Sequence, residues 1–102
     1  MGMNVRNVTD LGNLTPVGAH ESIAVSAAAK AITEVEKATH YTYTVSGGPL
    51  RMRLDGDDPT TDIGLYLGVG AAGTLSKAAA LQARFIKQAA TDGQVDVQAM
   101  AY

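Results

Sequence analysis

Leu50–Gly68, LRMRLDGDDPTTDIGLYLG, is the stretch on which the reading of the whole chain turns. Leu50, Met52 and Leu54 alternate with Arg51 and Arg53, the period-two pattern of a strand with one apolar and one charged face. That strand must end at Asp55-Gly56. The run Asp55, Gly56, Asp57, Asp58, Pro59 joins a glycine free to take positive φ, side chains that bond their own backbone, and a proline that fixes φ and lacks an N–H. It reads as a tight connection. Ile63, Leu65 and Leu67 then alternate with Gly64, Tyr66 and Gly68, so a second strand is expected. The unit marks a β-rich globular domain and by itself names no activity.

The segments around it carry the same pattern with different clarity. In ATHYTYTVSGG, residues 38–48, Tyr41, Tyr43 and Val45 alternate with Thr42 and Thr44, and Gly47-Gly48-Pro49 stops the strand. Gln94, Asp96 and Gln98 alternate with Val95, Val97 and Ala99, which predicts a terminal strand over 94–101. Two segments support two readings. In ESIAVSAAAKAITEVEK, residues 21–37, Ile23, Ala27, Ala31 and Val35 recur every four residues in Ala-rich surroundings, as in a helix, yet Ile23, Val25 and Ala27 also alternate with Ala24 and Ser26. Over 75–90, Leu81, Phe85 and the Ala run suit a helix, while the alternation around Phe85 does not choose.

A resemblance enters at this point. An apolar/Arg alternating strand, the motif L-D-G-x-x-P-T at Leu54–Thr60 and a Gly-containing strand resemble small structural proteins of tailed-phage virions, a group of head decoration and related accessory proteins. Arg84-Phe85-Ile86-Lys87, the turn at Thr91-Asp92-Gly93 and the last alternating strand ending in Tyr102 continue the likeness, which spans about residues 38–102. The resemblance tilts both 21–37 and 75–90 toward strands. With several strands separated by turn signals, the expected fold is all-β, a compact antiparallel β-sandwich or jelly-roll-like domain over 21–102 with an extended N-terminal arm over 1–20.

Composition bounds the partners. The 102 residues fit one domain with a single core. A net charge of -2, with the eight Lys and Arg scattered, gives no electrostatic footprint for nucleic acid. The absence of Cys excludes disulfides and thiolate metal sites. No apolar run is long enough to span a membrane, and MGMNVRNVTD lacks the basic-then-apolar order of a signal peptide, so a protein made in the cytoplasm is expected. In the arm, Val5, Val8, Leu11, Leu14 and Val17 recur among Asn, Gly, Thr and Pro16 without helix formers, a turn-rich extended segment expected to dock on a neighbour, with packing on its own domain as the alternative.

Candidate chemistry is sparse. His20 and His40 have no attached acid, hydroxyl or metal-ligand spacing, and His20-Glu21 lacks the second His of H-E-x-x-H, so both are read as solvated or hydrogen-bonded. Asp55, Asp57, Asp58 and Asp62 offer oxygen ligands to a cation, but the loop lacks the Gly and Glu positions of an EF-hand and is read as an acidic turn. Arg51 and Arg53 suit a phosphate or an acidic partner patch as well as an exposed strand face. Tyr41, Tyr43 and Tyr66 suit a sugar platform or the cover of a sheet. Gly68–Gly73, GVGAAG, fits G-x-G-x-x-G literally, with Asp92 nineteen residues after Gly73. A dinucleotide-binding unit nevertheless needs further strands after it, and nine residues follow Gly93, so a Gly-rich turn between two strands is expected.

The resemblance implies a non-enzymatic virion component without cofactor or metal, a decoration or cement protein on the outer capsid surface. Its partners would be the major capsid protein and further copies of itself, with Val5, Val8, Leu11, Leu14, Val17, Arg51 and Arg53 as the expected interface. A tail or neck component and a small sugar-binding β module are the alternatives.

Overall fold

A computed structural model of the chain describes residues 13–102. Nine strands and one short helix follow in chain order: β1 (Thr15–Pro16), β2 (Glu21–Val25), β3 (Lys30–Ala31), β4 (His40–Ser46), β5 (Leu50–Arg53), β6 (Leu65–Leu67), β7 (Ala72–Ser76), α1 (Lys77–Gln82), β8 (Arg84–Lys87) and β9 (Gly93–Ala101). Every pairing is antiparallel. β9 is the spine of one sheet: β4 lies along one side, with β7 beyond it, and β1 and β2 share the other side. The second sheet runs β3-β8-β5-β6.

The two sheets close on one core. Ile23 and Val25, Tyr41 and Val45, and Val95, Val97 and Ala99 come from the first sheet, and Leu50, Met52 and Phe85 from the second. Their alternation in sequence is the alternation of buried and half-open positions along β5 and β9. Phe85 stands opposite Met52 across β8 and β5, and both are buried. Gly93 starts β9 because the chain is crowded there. A Cβ at that position would sit 2.5 Å from Leu50 Cδ2 and 2.6 Å from the Gly48 carbonyl oxygen.

The all-β expectation holds, with local corrections. Residues 21–37 carry β2 and β3 and no helix. Ser22 opposite Asp96 and Ile23 opposite Val95 tie β2 to β9, and burying Ile23 and Val25 outweighs the few tenths of a kcal/mol per residue that alanine's helix preference supplies. Residues 75–90 are not one strand. Ser76 ends β7 and caps α1, its hydroxyl accepting a bond from Ala79 N–H at 3.3 Å, and the alanines that follow bury Ala80 before β8 begins. The expected tight connection after Arg53 is instead a loop over 54–64, closed on itself by Thr60 N–H to the Ile63 carbonyl at 2.9 Å, so Ile63 belongs to the loop and not to β6.

The end of the expected arm belongs to the domain. Thr15 and Pro16 pair with Ala101 and Met100, Val17 N–H bonds the Ala99 carbonyl at 2.9 Å, and the half-buried Val17 side chain packs on the core. Val5, Val8 and Leu11 lie outside the described residues. No helix among the described residues is long and apolar enough to cross a membrane.

Candidate functional site

The β5–β6 unit positions most of the residues singled out by sequence. Arg51 does not project freely. Its Nη1 donates to the Gly64 carbonyl at 2.9 Å, its Nε bonds Gln88 Oε1, and its guanidinium lies 5.6 Å from the centre of the Tyr66 ring. It therefore braces the loop end against β8. Arg53 grips its own turn: Nε donates to Asp55 Oδ1 at 3.0 Å, Nη2 bonds Asp55 Oδ2, and Asp57 Oδ2 lies 3.4 Å from Nη2. The hydrogen bond from Arg53 holds the Asp55 carboxyl below the usual carboxylate value, and Asp55 in turn raises Arg53. The cation of this acidic turn is thus an arginine of the chain. Among the described residues no group of three or more His, Asp or Glu side chains is placed to hold a metal.

One cluster was invisible in the sequence because its members lie far apart. Ser22 Oγ donates to Asp96 Oδ1 at 2.7 Å, and His20 Nε2 lies 3.3 Å from Ser22 Oγ and 3.5 Å from Asp96 Oδ1. Gln94 Nε2 donates to the same Asp96 oxygen at 2.9 Å. Bonds from Ser22 and then Gln94 are the main causes that hold the Asp96 carboxyl below its ordinary value. A serine hydrolase places histidine between serine and acid, with a different ring nitrogen toward each. Here one histidine nitrogen faces both, and the Ser22 hydroxyl is hydrogen-bonded directly to the acid, which is a different arrangement. The cluster fastens β2 to β9.

His40 stands edge-on to Tyr102, ring centres 5.5 Å apart, with its Nδ1 3.0 Å from Thr39 Oγ1. Tyr41 is buried, its hydroxyl accepting from Val35 N–H at 2.8 Å. Tyr43 lies over Gly73, where a Cβ would come within 2.8 Å of the tyrosine oxygen. These two tyrosines face the interior and leave Tyr66 outside, so the three form no shared platform. Gly73 itself lies inside β7, and α1 begins only at Lys77, so the glycines of GVGAAG do not open onto a helix N-terminus. Gly68 and Gly70 lie in the expected turn between β6 and β7, closed by Ala71 N–H to the Gly68 carbonyl at 3.0 Å.

What remains uncommitted is apolar. Ile63, Leu65, Tyr66 and Val69 are 53, 55, 58 and 63 % exposed, four of the five large exposed hydrophobic side chains among the described residues, all within seven positions. A shallow hollow of about 420 Å³ opens between Met52, Leu54, Ile63 and Leu65, lined also by Arg53 and Asp55. Among the described residues β6 is an edge strand bonded only to β5. Compared with family models, curated proteins and solved structures, the chain gives no match.

Proposed function

We propose that this chain is a non-enzymatic structural protein of a tailed-phage particle, seated on the outer surface of the head as a decoration or cement protein. The carrying observation is the contrast between its polar groups and its apolar edge. Arg53, Lys77 and Lys87 pair with carboxylates of the same domain, Arg51 and Arg84 bond carbonyl oxygens, and among the described residues no buried side-chain polar atom lacks a partner. Among the described residues the exposed apolar surface gathers in the stripe Ile63, Leu65, Tyr66 and Val69, and exposed apolar stripes of this kind mark protein contacts. A sandwich with such a stripe suits attachment to a partner surface.

The resemblance at Leu54–Thr60 and at Arg84–Lys87 supports the particular setting; Arg84–Lys87 is β8 of the sheet that carries the stripe, and Leu54–Thr60 opens the loop that leads into β6. The mechanism is linkage: a domain that binds only the assembled shell, across a junction between subunits, stabilises assembly over its free parts. Empty capsids assembled from the major capsid protein encoded with this chain, incubated with it and pelleted, test the proposal. Saturable binding at a fixed ratio to capsid subunits, with a raised temperature of capsid disruption, is the expected result. Protein left in the supernatant at all ratios overturns it.

A further inference from the structure

We propose that β6 is a self-pairing edge whose occupant is a second copy of this chain. Two protomers set β6 against β6, antiparallel, about a two-fold axis at Tyr66, and their two four-stranded sheets become one. The inference rests on reading the exposed stripe as an interface.

The first reason is the edge itself. Among the described residues β6 bonds only to β5, which leaves the backbone groups on its outer side to pair with another strand. The other open edges carry less apolar surface: β1 holds Pro16, β2 starts at Glu21, β3 is two residues long and includes Lys30, and the exposed positions of β7 are the small or polar Ala72, Thr74 and Ser76. β6 has no proline and no charge, and shows Leu65 on one face and Tyr66 on the other.

The second reason is that the stripe is self-complementary. Ile63-Gly64-Leu65-Tyr66-Leu67-Gly68-Val69 reads the same in both directions by residue class. A two-fold contact requires a patch that matches itself. With the axis at Tyr66, Leu65 meets Leu67 of the second copy, and Ile63 of the preceding loop and Val69 of the following turn flank the three-residue strand with further apolar surface at its two ends. The two Tyr66 rings meet across the axis, each steadied by its own Arg51 at 5.6 Å.

Area sets the strength of the pairing. Even if wholly covered, the four half-exposed side chains of both copies together bury roughly 800 Å², below the ~1,200–2,000 Å² of stable pairs. The pairing is therefore weak in dilute solution and becomes populated where copies are crowded, as on a particle.

The chain has no cysteine, so a single introduced one reports its own neighbours. Directly opposed residues of an antiparallel pair have Cα atoms about 4.5–5.5 Å apart, within disulfide reach. The experiment has three arms on the full chain: sedimentation equilibrium of the native protein and of Leu65→Lys over about 10 µM to 1 mM, a span set by weak association; oxidative cross-linking of Tyr66→Cys beside Tyr102→Cys, which alters another exposed tyrosine; and capsid pelleting of the native protein and Leu65→Lys. The expected result is a native mass rising toward twice the protomer, Leu65→Lys monomeric with an unchanged melting temperature, and Tyr66→Cys dimers forming at least tenfold faster than those of Tyr102→Cys. A native protein that stays monomeric throughout, association untouched by Leu65→Lys, or equal cross-linking of the two cysteine variants overturns the inference. If self-association fails while Leu65→Lys abolishes capsid binding, the stripe belongs to the capsid contact: the self-pairing is overturned and the particle reading stands.

Discussion

β9 and β6 are both short apolar alternations in sequence, and the fold treats them oppositely. Val95, Val97 and Ala99 of β9 lie under the second sheet and are at most 2 % exposed, with strands along both sides. Leu65 of β6 stands opposite Met52, on the same face of its sheet, yet is 55 % exposed. The difference is position within the sheets: the first sheet covers β8 and β5, and β6 reaches past its cover. Alternation specifies which side chains share a face, while strand order decides whether that face meets another layer.

Substitutions that separate covered from uncovered positions sharpen this contrast. Phe85→Ala removes a fully buried ring that packs against Met52, and a loss of about 3–5 kcal/mol in urea unfolding is expected. Gly93→Ala drives a methyl group toward the Gly48 carbonyl and Leu50, and about 1–3 kcal/mol is the expected cost, since the backbone oxygen cannot step aside as a side chain can. A chain starting at Gly18 should be about 1–2 kcal/mol less stable than one starting at Asn13, because it loses the pairing of Thr15 and Pro16 with β9 and the packing of Val17. Leu65→Ser should change stability by less than about 0.5 kcal/mol, as expected where a side chain has no cover. A loss from Leu65→Ser equal to that from Phe85→Ala would break the comparison.

The smallest effect is one of pH. The Asp96 carboxyl is held below its ordinary value in the folded chain, so its bonds to Ser22 and Gln94 contribute stability that is present above the unfolded carboxylate value of about 3.9 and is lost as pH falls through the lower folded value. Asp96→Asn should therefore melt below the native protein at pH 6, and the gap should close as pH drops below about 4. A gap constant from pH 6 to pH 2.5 would show that the charge of Asp96 does not stabilise the fold.

Much of the fold was legible in the sequence. β4, β5 and β9 announced themselves because their apolar residues alternate and glycines or turn residues end them. The Ala-rich segments were not legible, since alanine fits a helix, a strand or a bend, and tertiary pairing decided between them: β9 drew 21–25 into a strand, and the Ser76 cap released 77–82 into a helix. Arg51 and Arg53 were visible as candidates but not their partners. Arg53 meets carboxylates two and four residues on, whereas Arg51 bonds Gly64 and Gln88, which only the fold brings near. The Ser22–Asp96 bond joins residues 74 positions apart and carries no local signal. The exposure of Ile63, Leu65 and Val69 was hidden for the same reason, because their spacing is that of a covered strand.

We propose that this sandwich attaches to an assembled phage head through its apolar edge. The direct measurement is the molar ratio of this protein to capsid subunits after pelleting with empty capsids, taken across a titration. The account predicts a plateau at a fixed ratio, absent when unassembled capsid subunits replace the shell. A ratio that rises without limit, or equal binding to free subunits, would contradict it.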